Sequence, residues 1–425
     1  MPRLFAPLVL SLTVAGCASQ SAAPTPGAVA NATGISLRFI GEATLPHRMQ
    51  FGGTTAGGIS GIDYDAARNQ YYLLADDRSD INAARYYTAK INVTATTLSA
   101  PEITSVVYMK RPDSSPYGGK AQGAKDIPDP EAIRYRADTD TLLWTSEGDK
   151  KLGLDPVVRE MKLDGTFIRE LPTLPMFKMK AGNASGPRDN LTFEGMTLTP
   201  DNKAIWVSME ASLLEDGNEP SVDASGGPIR FTLYHASSGN PIRQIAYIPD
   251  AIPHRPTPAT GWNDNGVPEI LMVDQFRMLV LERSYTAGVG NSLRVYLIDT
   301  RDGSDVLSVP VLRAGEYTAA TKRLVINFDS LKLKKLDNTE AMTFGPTLPN
   351  GNRTLLFASD DNFNAKQTTQ FLAFEVIEPK PLASYVIEQP PVWWPYPYFG
   401  YRPWIPRYRP LPPPHPHPPR PMPKN

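Results

Sequence analysis

Five times along this chain a short unit returns: an acid or a hydroxyl, a small residue, an apolar strand, a polar turn, a second apolar strand, an acid. NLTFEGMTLTPDNKAIWVSMEA carries Glu194 and Glu210, and DPEAIRYRADTDTLLWTSEGD carries Glu131 and Glu147. GGISGIDYDAARNQYYLLADD has Ser60 and Asp76 in the corresponding places. NTEAMTFGPTLPNGNRTLLFASDD supplies Glu340 and Asp360, and GVPEILMVDQFRMLVLERS supplies Glu269 and Glu282. The units start at 60, 131, 194, 269 and 340, so they recur every 63 to 75 residues. A period of this kind marks an array of equivalent supersecondary units and restricts the fold more than any composition figure.

The units are β in character. Short apolar runs such as YYLL, TLLW, AIWVSM, EILMV and TLLFAS are punctuated by turn signals such as TPDN, LPNGN and RDGS. Many short strands, regular turns and internal repetition point to an all-β propeller. Blades are usually about 40–50 residues long, shorter than this period, which leaves room for an unmarked blade. The expectation is a six-bladed β-propeller with five acid-marked blades. Terminal strands would complete one blade, bringing residues 35–40 beside 371–377. Residues 322–336, KRLVINFDSLKLKKL, read equally as helix or as strands.

In a propeller, equivalent positions form rings about the axis, and a hairpin brings both acids of a unit to the same end. Ser60, Glu131, Glu194, Glu269 and Glu340 would form one ring, and Asp76, Glu147, Glu210, Glu282 and Asp360 a second. Converging carboxylates repel one another and persist where a cation compensates. Oxygen donors suit calcium, which takes six to eight of them in tolerant geometry. The candidate calcium ligands are Asp76, Asp77, Glu147, Glu340, Asp360 and Asp361, two of them as Asp–Asp pairs. Glu131, Glu194 and Glu210 are the candidate catalytic carboxylates. Arg78, Arg188 and Arg283 are candidates for holding an anionic substrate, since arginine binds phosphate bidentately. The alternative is that these acids hold the ring together by bonding to backbone N–H groups and arginines. A Ser60–His47 nucleophile pair has weaker support, because no G-x-S-x-G elbow is present.

The stretches GGISGIDYD, FEGMTLTPD and LVLERS, with the E-A-M and E-A-I openings, resemble the phytase-like domain, described as having esterase-like activity. The resemblance spans roughly residues 35–378. It implies a propeller and ester hydrolysis, and more distantly a relation to the β-propeller phytases, six-bladed calcium-dependent phosphatases. The dense calcium-ligand run of those phytases is missing, so no ligand is carried over from them.

Composition enters at the ends. MPRLFAPLVLSLTVAGCASQ has Arg3, a short apolar run and VAGC, which resembles a bacterial lipoprotein box with Cys17 as the lipidated residue. Cys17 is the chain's single cysteine, which excludes an intrachain disulfide and a Cys-ligated metal. Ala18 after it favours outer-membrane sorting by the same resemblance. The expected organisation is a signal peptide over 1–16, a lipidated flexible tether over 17–33, a propeller over 34–389 and a tail over 390–425. The tail holds fifteen of the chain's 43 prolines, five basic residues and no acid. The whole chain carries −1, so removing the tail's charges and Arg3 leaves −7 for the body. A body of that charge argues against nucleic acid as a partner. Two functions stay open: a calcium-assisted hydrolase of small anionic esters anchored in the outer membrane, on its periplasmic side or at the cell surface, or a non-catalytic envelope lipoprotein whose propeller and tail bind protein or cell-wall glycan.

Overall fold

The computed structural model describes residues 34–180, 182 and 185–378. Cys17, the leader, the tether and the proline-rich tail lie outside the described residues. Within them the fold is all-β, with five four-stranded antiparallel sheets, one small two-stranded ladder (Met49–Phe51 with Thr54–Ala56) and three short 3-10 turns.

Each sheet is one blade. Blade 1 runs Ile59–Asp65, Gln70–Ala75, Arg85–Lys90, Glu102–Tyr108. Blade 2 runs Pro130–Arg136, Thr141–Ser146, Val157–Lys162, Phe167–Glu170. Blade 3 runs Phe193–Leu198, Ala204–Met209, Ile229–His235, Pro241–Tyr247. Blade 4 runs Asn263–Met272, Arg277–Thr286, Gly290–Asp299, Lys322–Asn327. Blade 5 runs Asn338–Thr347, Arg353–Asp360, Gln370–Ile377, and takes its fourth strand, Ser36–Thr44, from the start of the described chain. That strand pairs Ser36 with Ile377 and Thr44 with Gln370, so the terminal closure follows the expectation. The first strands of successive blades touch, and blade 5 touches blade 1, which closes the ring.

The propeller therefore has five blades, and the expected sixth is absent among the described residues. The long period arises differently. Each acid-marked unit supplies the first two strands of one four-stranded blade, and the extra length lies in connections such as 109–129, 171–192 and 300–321. Residues 322–336 resolve into a strand, a 3-10 turn over Phe328–Leu331 and an irregular segment.

Apolar side chains fill the space between blades. Phe328, Phe357 and Phe374 meet one another at ring distances of 5.2–5.6 Å between blades 4 and 5. Full burial of one such side chain stabilises by about 1.5–3 kcal/mol. Toward the axis the strands come closer. A Cβ on Gly61 would lie 2.7 Å from the Glu131 carbonyl, and one on Gly195 would lie 2.8 Å from the Glu269 Cα. The small residue of the repeated unit lets the next blade's inner strand approach.

Candidate active site at the axial funnel

All five blades break their first-to-second strand pairing near the same end. The register shifts after Ile59, Pro130, Phe193, Gly266 and Thr339. The residue that follows each of these is Ser60, Glu131, Glu194, Val267 and Glu340. A β-bulge turns a side chain away from the pleat, and bulges concentrate beside active sites. Here the bulge aims Glu131, Glu194 and Glu340 into one cavity at the axis. Asp76, Glu147 and Glu210 each lie one residue past the last pair of their partner strand, and Asp360 is itself the last paired residue of its strand. In blade 4 the matching Ser284 stays paired with Asn265, so outside blade 4 the hairpin does bring both marked residues of a unit to the same end.

Blade 4 departs from the pattern. The register places Val267 and Ser284 at its two funnel positions, and Glu269 and Glu282 lie deeper, opposite Leu281 and Arg294. Glu269 accepts from the Met196 and Ile270 N–H groups and pairs with Arg134 at 2.5 Å. Glu282 is bound by Tyr247, Asn265 and Lys322. These two acids hold blades together. What blade 4 presents to the funnel is Arg283, 2.9 Å from Glu210 and 3.7 Å from Glu340. Gly266 makes room for this pair, since a Cβ there would lie 2.6 Å from Glu210 Oε1.

The cavity measures about 1110 Å³, and Asp76, Glu131, Glu194, Glu210, Glu340 and Asp360 form its acidic wall. Burial, with repulsion from neighbouring carboxylates, raises the pKa values of Asp76, Glu131, Glu147, Glu194 and Asp360 well above the usual range. Burial likewise raises Glu210, to about 7 against the pull of Arg283, and Asp129 to about 6 against that of Arg78. Two trios are compact enough to hold a metal ion: Asp76, Asp129 and Glu131, and Glu131, Glu147 and Glu194, each with one oxygen per residue within 4.8 Å of the others. Asp76 Oδ1 and Glu147 Oε2 are buried without a hydrogen-bond partner. A buried carboxylate oxygen left unpaired is costly, and a hard cation satisfies it. An all-oxygen donor set fits calcium or magnesium rather than zinc.

Other expected residues take different places. Asp77 accepts from the N–H groups of Asp80, Ile81 and Asn82 and pairs with Arg85 at 2.6 Å. Asp361 accepts from the Gly58 N–H at 2.7 Å and faces His47 Nδ1 at 3.3 Å. The second member of each Asp–Asp pair is thus spent on structure. Arg188 binds the Ser212 and Gly217 carbonyls and Glu219, which fixes the 212–219 loop. Arg78 stands behind the acids, 3.1 Å from Asp129 and 2.7 Å from Asp149. Of the three arginines, Arg283 lines the cavity. Ser60 donates to the Pro130 carbonyl and His47 is turned to Asp361, so the two do not form a nucleophile pair. Sequence reasoning missed Asp129, which directly precedes the blade 2 unit. It also missed the lysines of the mouth, Lys332, Lys334, Lys335 and Lys366. The KLKK run was visible, but nothing in the sequence placed it at the axis.

A closed five-bladed propeller with a carboxylate-walled axial funnel is the class of protein defined by this fold and site. The chain matches the phytase-like family, described as esterase-like activity of phytase, over residues 54–363, and it belongs to that family. Membership makes it a phytase-like hydrolase acting on an ester in general terms. No curated protein matches it. Among solved structures it is similar to the exo-β-1,3-galactanase of Phanerochaete chrysosporium, at 11% identity and a TM-score of 0.43, over 79% of this chain and 64% of that one. An α-L-arabinofuranosidase catalytic domain from Coprinopsis cinerea gives 11% identity and 0.38, over 80% and 96%. The hydrazine synthase of Kuenenia stuttgartiensis gives 12% and 0.33, over 78% and 67%. Likenesses this remote have no bearing on function.

Proposed function

We propose that the funnel is the site of a divalent-cation-assisted hydrolase, with calcium the best-fitting ion, acting on phosphate or related anionic esters. The observation that carries this reading is the pair of buried, unpartnered oxygens, Asp76 Oδ1 and Glu147 Oε2, within carboxylate trios that share Glu131. Asp76, Asp129, Glu131, Glu147 and Glu194 would hold the cation. When bound, such an ion polarises an ester oxygen and lowers the pKa of water. Arg283 and the lysines at the mouth would attract and orient the anionic group. Glu210, with its pKa raised to about 7, is poised to exchange a proton near neutral pH. A binding-only propeller would have every axial acid matched by donors of the protein itself, as Asp77, Asp361, Glu269 and Glu282 are. The two unmatched oxygens favour the enzyme.

The test is a panel of phosphomonoester, phosphodiester and carboxylester substrates with and without calcium. Wild type should turn over a phosphate ester only with the cation. Glu210→Gln and Glu194→Gln each keep size and an oxygen. The first should lose about 10²–10⁴-fold in kcat, and the second, which removes a charged cation ligand, should need more cation for turnover, both with the fold retained. Wild-type rates in both variants would exclude this assignment of roles.

We propose that lipid on Cys17 anchors the protein in the outer membrane, with the propeller in the periplasm or at the surface and the tail as a contact for cell-wall or protein partners. This rests on VAGCAS after an apolar run and on the tail's composition. Mass analysis of the mature N-terminus should find a lipidated Cys17, and an unmodified start at any other residue would overturn the anchor.

A further inference from the structure

One side of the funnel mouth is apolar and aromatic. Trp262 is 68% exposed, Val289 53% and Tyr285 37%, and all three line the cavity. A tryptophan so exposed is usually mobile, yet this one is fixed. Its carbonyl accepts from the Ala287 N–H at 2.8 Å, and the Ala287 carbonyl accepts from Thr257 N–H at 2.8 Å. Its indole N–H donates to Asp264 Oδ2 at 3.0 Å, and the Tyr285 N–H donates to Asp264 Oδ1 at 2.9 Å. Asp264 thus orients the indole beside Arg283, with its ring left uncovered. Lys332 and Lys334 line the same cavity. Orienting a large apolar ring while leaving it in water gains no burial. An exposed, oriented ring over a polar cavity is the arrangement that stacks a flat ligand.

We propose that Trp262 is a specificity-determining platform for the alcohol part of the ester, and that this part carries a flat-faced ring, aromatic or the apolar face of a sugar. The anionic group enters toward Arg283 while the ring rests on Trp262. This rests on the reading of the funnel as an anionic-ester site, and the test separates the two. Phenylphosphonate, a glucose-derived phosphonate and methylphosphonate are titrated into the full-length protein with calcium present. Wild type is expected to bind at least one ring phosphonate about tenfold more tightly than methylphosphonate. Trp262→Ala should remove that preference and leave methylphosphonate binding unchanged, and Trp262→Phe should keep most of it for the phenyl ligand. The relative losses of the phenyl and glucose ligands tell an aryl ester from a sugar ester. Equal binding of all three ligands to wild type, or a ring preference that survives in Trp262→Ala, overturns the platform. A Trp262-dependent preference without turnover of any ester upholds the platform and ends the hydrolase reading. Trp262 is exposed, so its loss should leave the thermal unfolding midpoint at the wild-type value.

Discussion

Replacing Arg134 with methionine is expected to destabilise the propeller by about 3–5 kcal/mol, the range for removing one partner of a buried ion pair. Arg134 is fully buried on the axis beneath the funnel. One guanidinium nitrogen donates to the carbonyls of Ile62 at 2.7 Å and Ile133 at 2.9 Å. The other donates to those of Met342 at 3.2 Å and Ile270 at 3.5 Å, and pairs with Glu269 at 2.5 Å. Four inner strands are thereby tied to one side chain. The fifth is tied through Glu269, which takes the Met196 N–H at 3.0 Å. Methionine fills much of the volume but strands Glu269 and four carbonyls in a dry channel. Burial already holds Glu269 near a pKa of about 7 against the pull of Arg134, so without that arginine it should become protonated on folding. The double variant Arg134→Met/Glu269→Leu should recover part of the loss, because two matched apolar groups leave no buried charge. Denaturant unfolding of wild type, both single variants and the double variant measures the coupling. A loss below about 1 kcal/mol for Arg134→Met would mean the axis is held mainly by strand packing.

The repeat was legible because propeller symmetry forces the same chemistry on equivalent positions. The shared end of Glu131 with Glu147, and of Glu194 with Glu210, followed from hairpin geometry, and the terminal closure from the way propellers commonly complete a blade with both chain ends. The blade number did not follow, because sequence period does not separate strand from connection. Blade 4 misled for a subtler reason. Glu269 and Glu282 are the acids nearest the expected places, but the bulge sets the funnel positions at Val267 and Ser284, and a bulge leaves no mark in composition. Each acid lies two residues off and one level deeper, where Glu269 meets Arg134 and backbone N–H groups and Glu282 meets Tyr247, Asn265 and Lys322. Asp77 and Asp361 show the same limit. In sequence they look like second ligands, and in space the chain has already turned them to local N–H groups.

Stability in the absence of divalent cations should fall as pH rises from about 5 to 8, and calcium should reverse the trend. The sign follows from the raised carboxyl pKa values. Glu210 stands at about 7 in the folded protein and Asp129 at about 6, against ordinary values of 4.5 and 3.8. Between about pH 4 and 7 the folded protein keeps protons that the unfolded chain has released, so stability declines through that window. At about 1.4 kcal/mol per pKa unit, Glu210 alone costs about 3 kcal/mol at pH 8. A cation binds the deprotonated carboxylates, so its stabilisation grows over the same range. It reaches about 2.7 kcal/mol at a hundred times its Kd. Thermal unfolding with chelator and with calcium, at pH 5 and pH 8, should therefore show a small calcium response at the lower pH and a large one at the higher. Glu131→Gln sharpens the test because Glu131 belongs to both trios. With chelator at pH 8 the variant should be more stable than wild type, since one buried, repelled carboxylate is gone. With calcium it should be less stable than wild type, since both trios have lost a charged ligand. A structural role for Glu131 predicts a loss under both conditions. The crossing of the two curves is therefore specific to a cation held at the axis, and its absence would remove the cation from the mechanism.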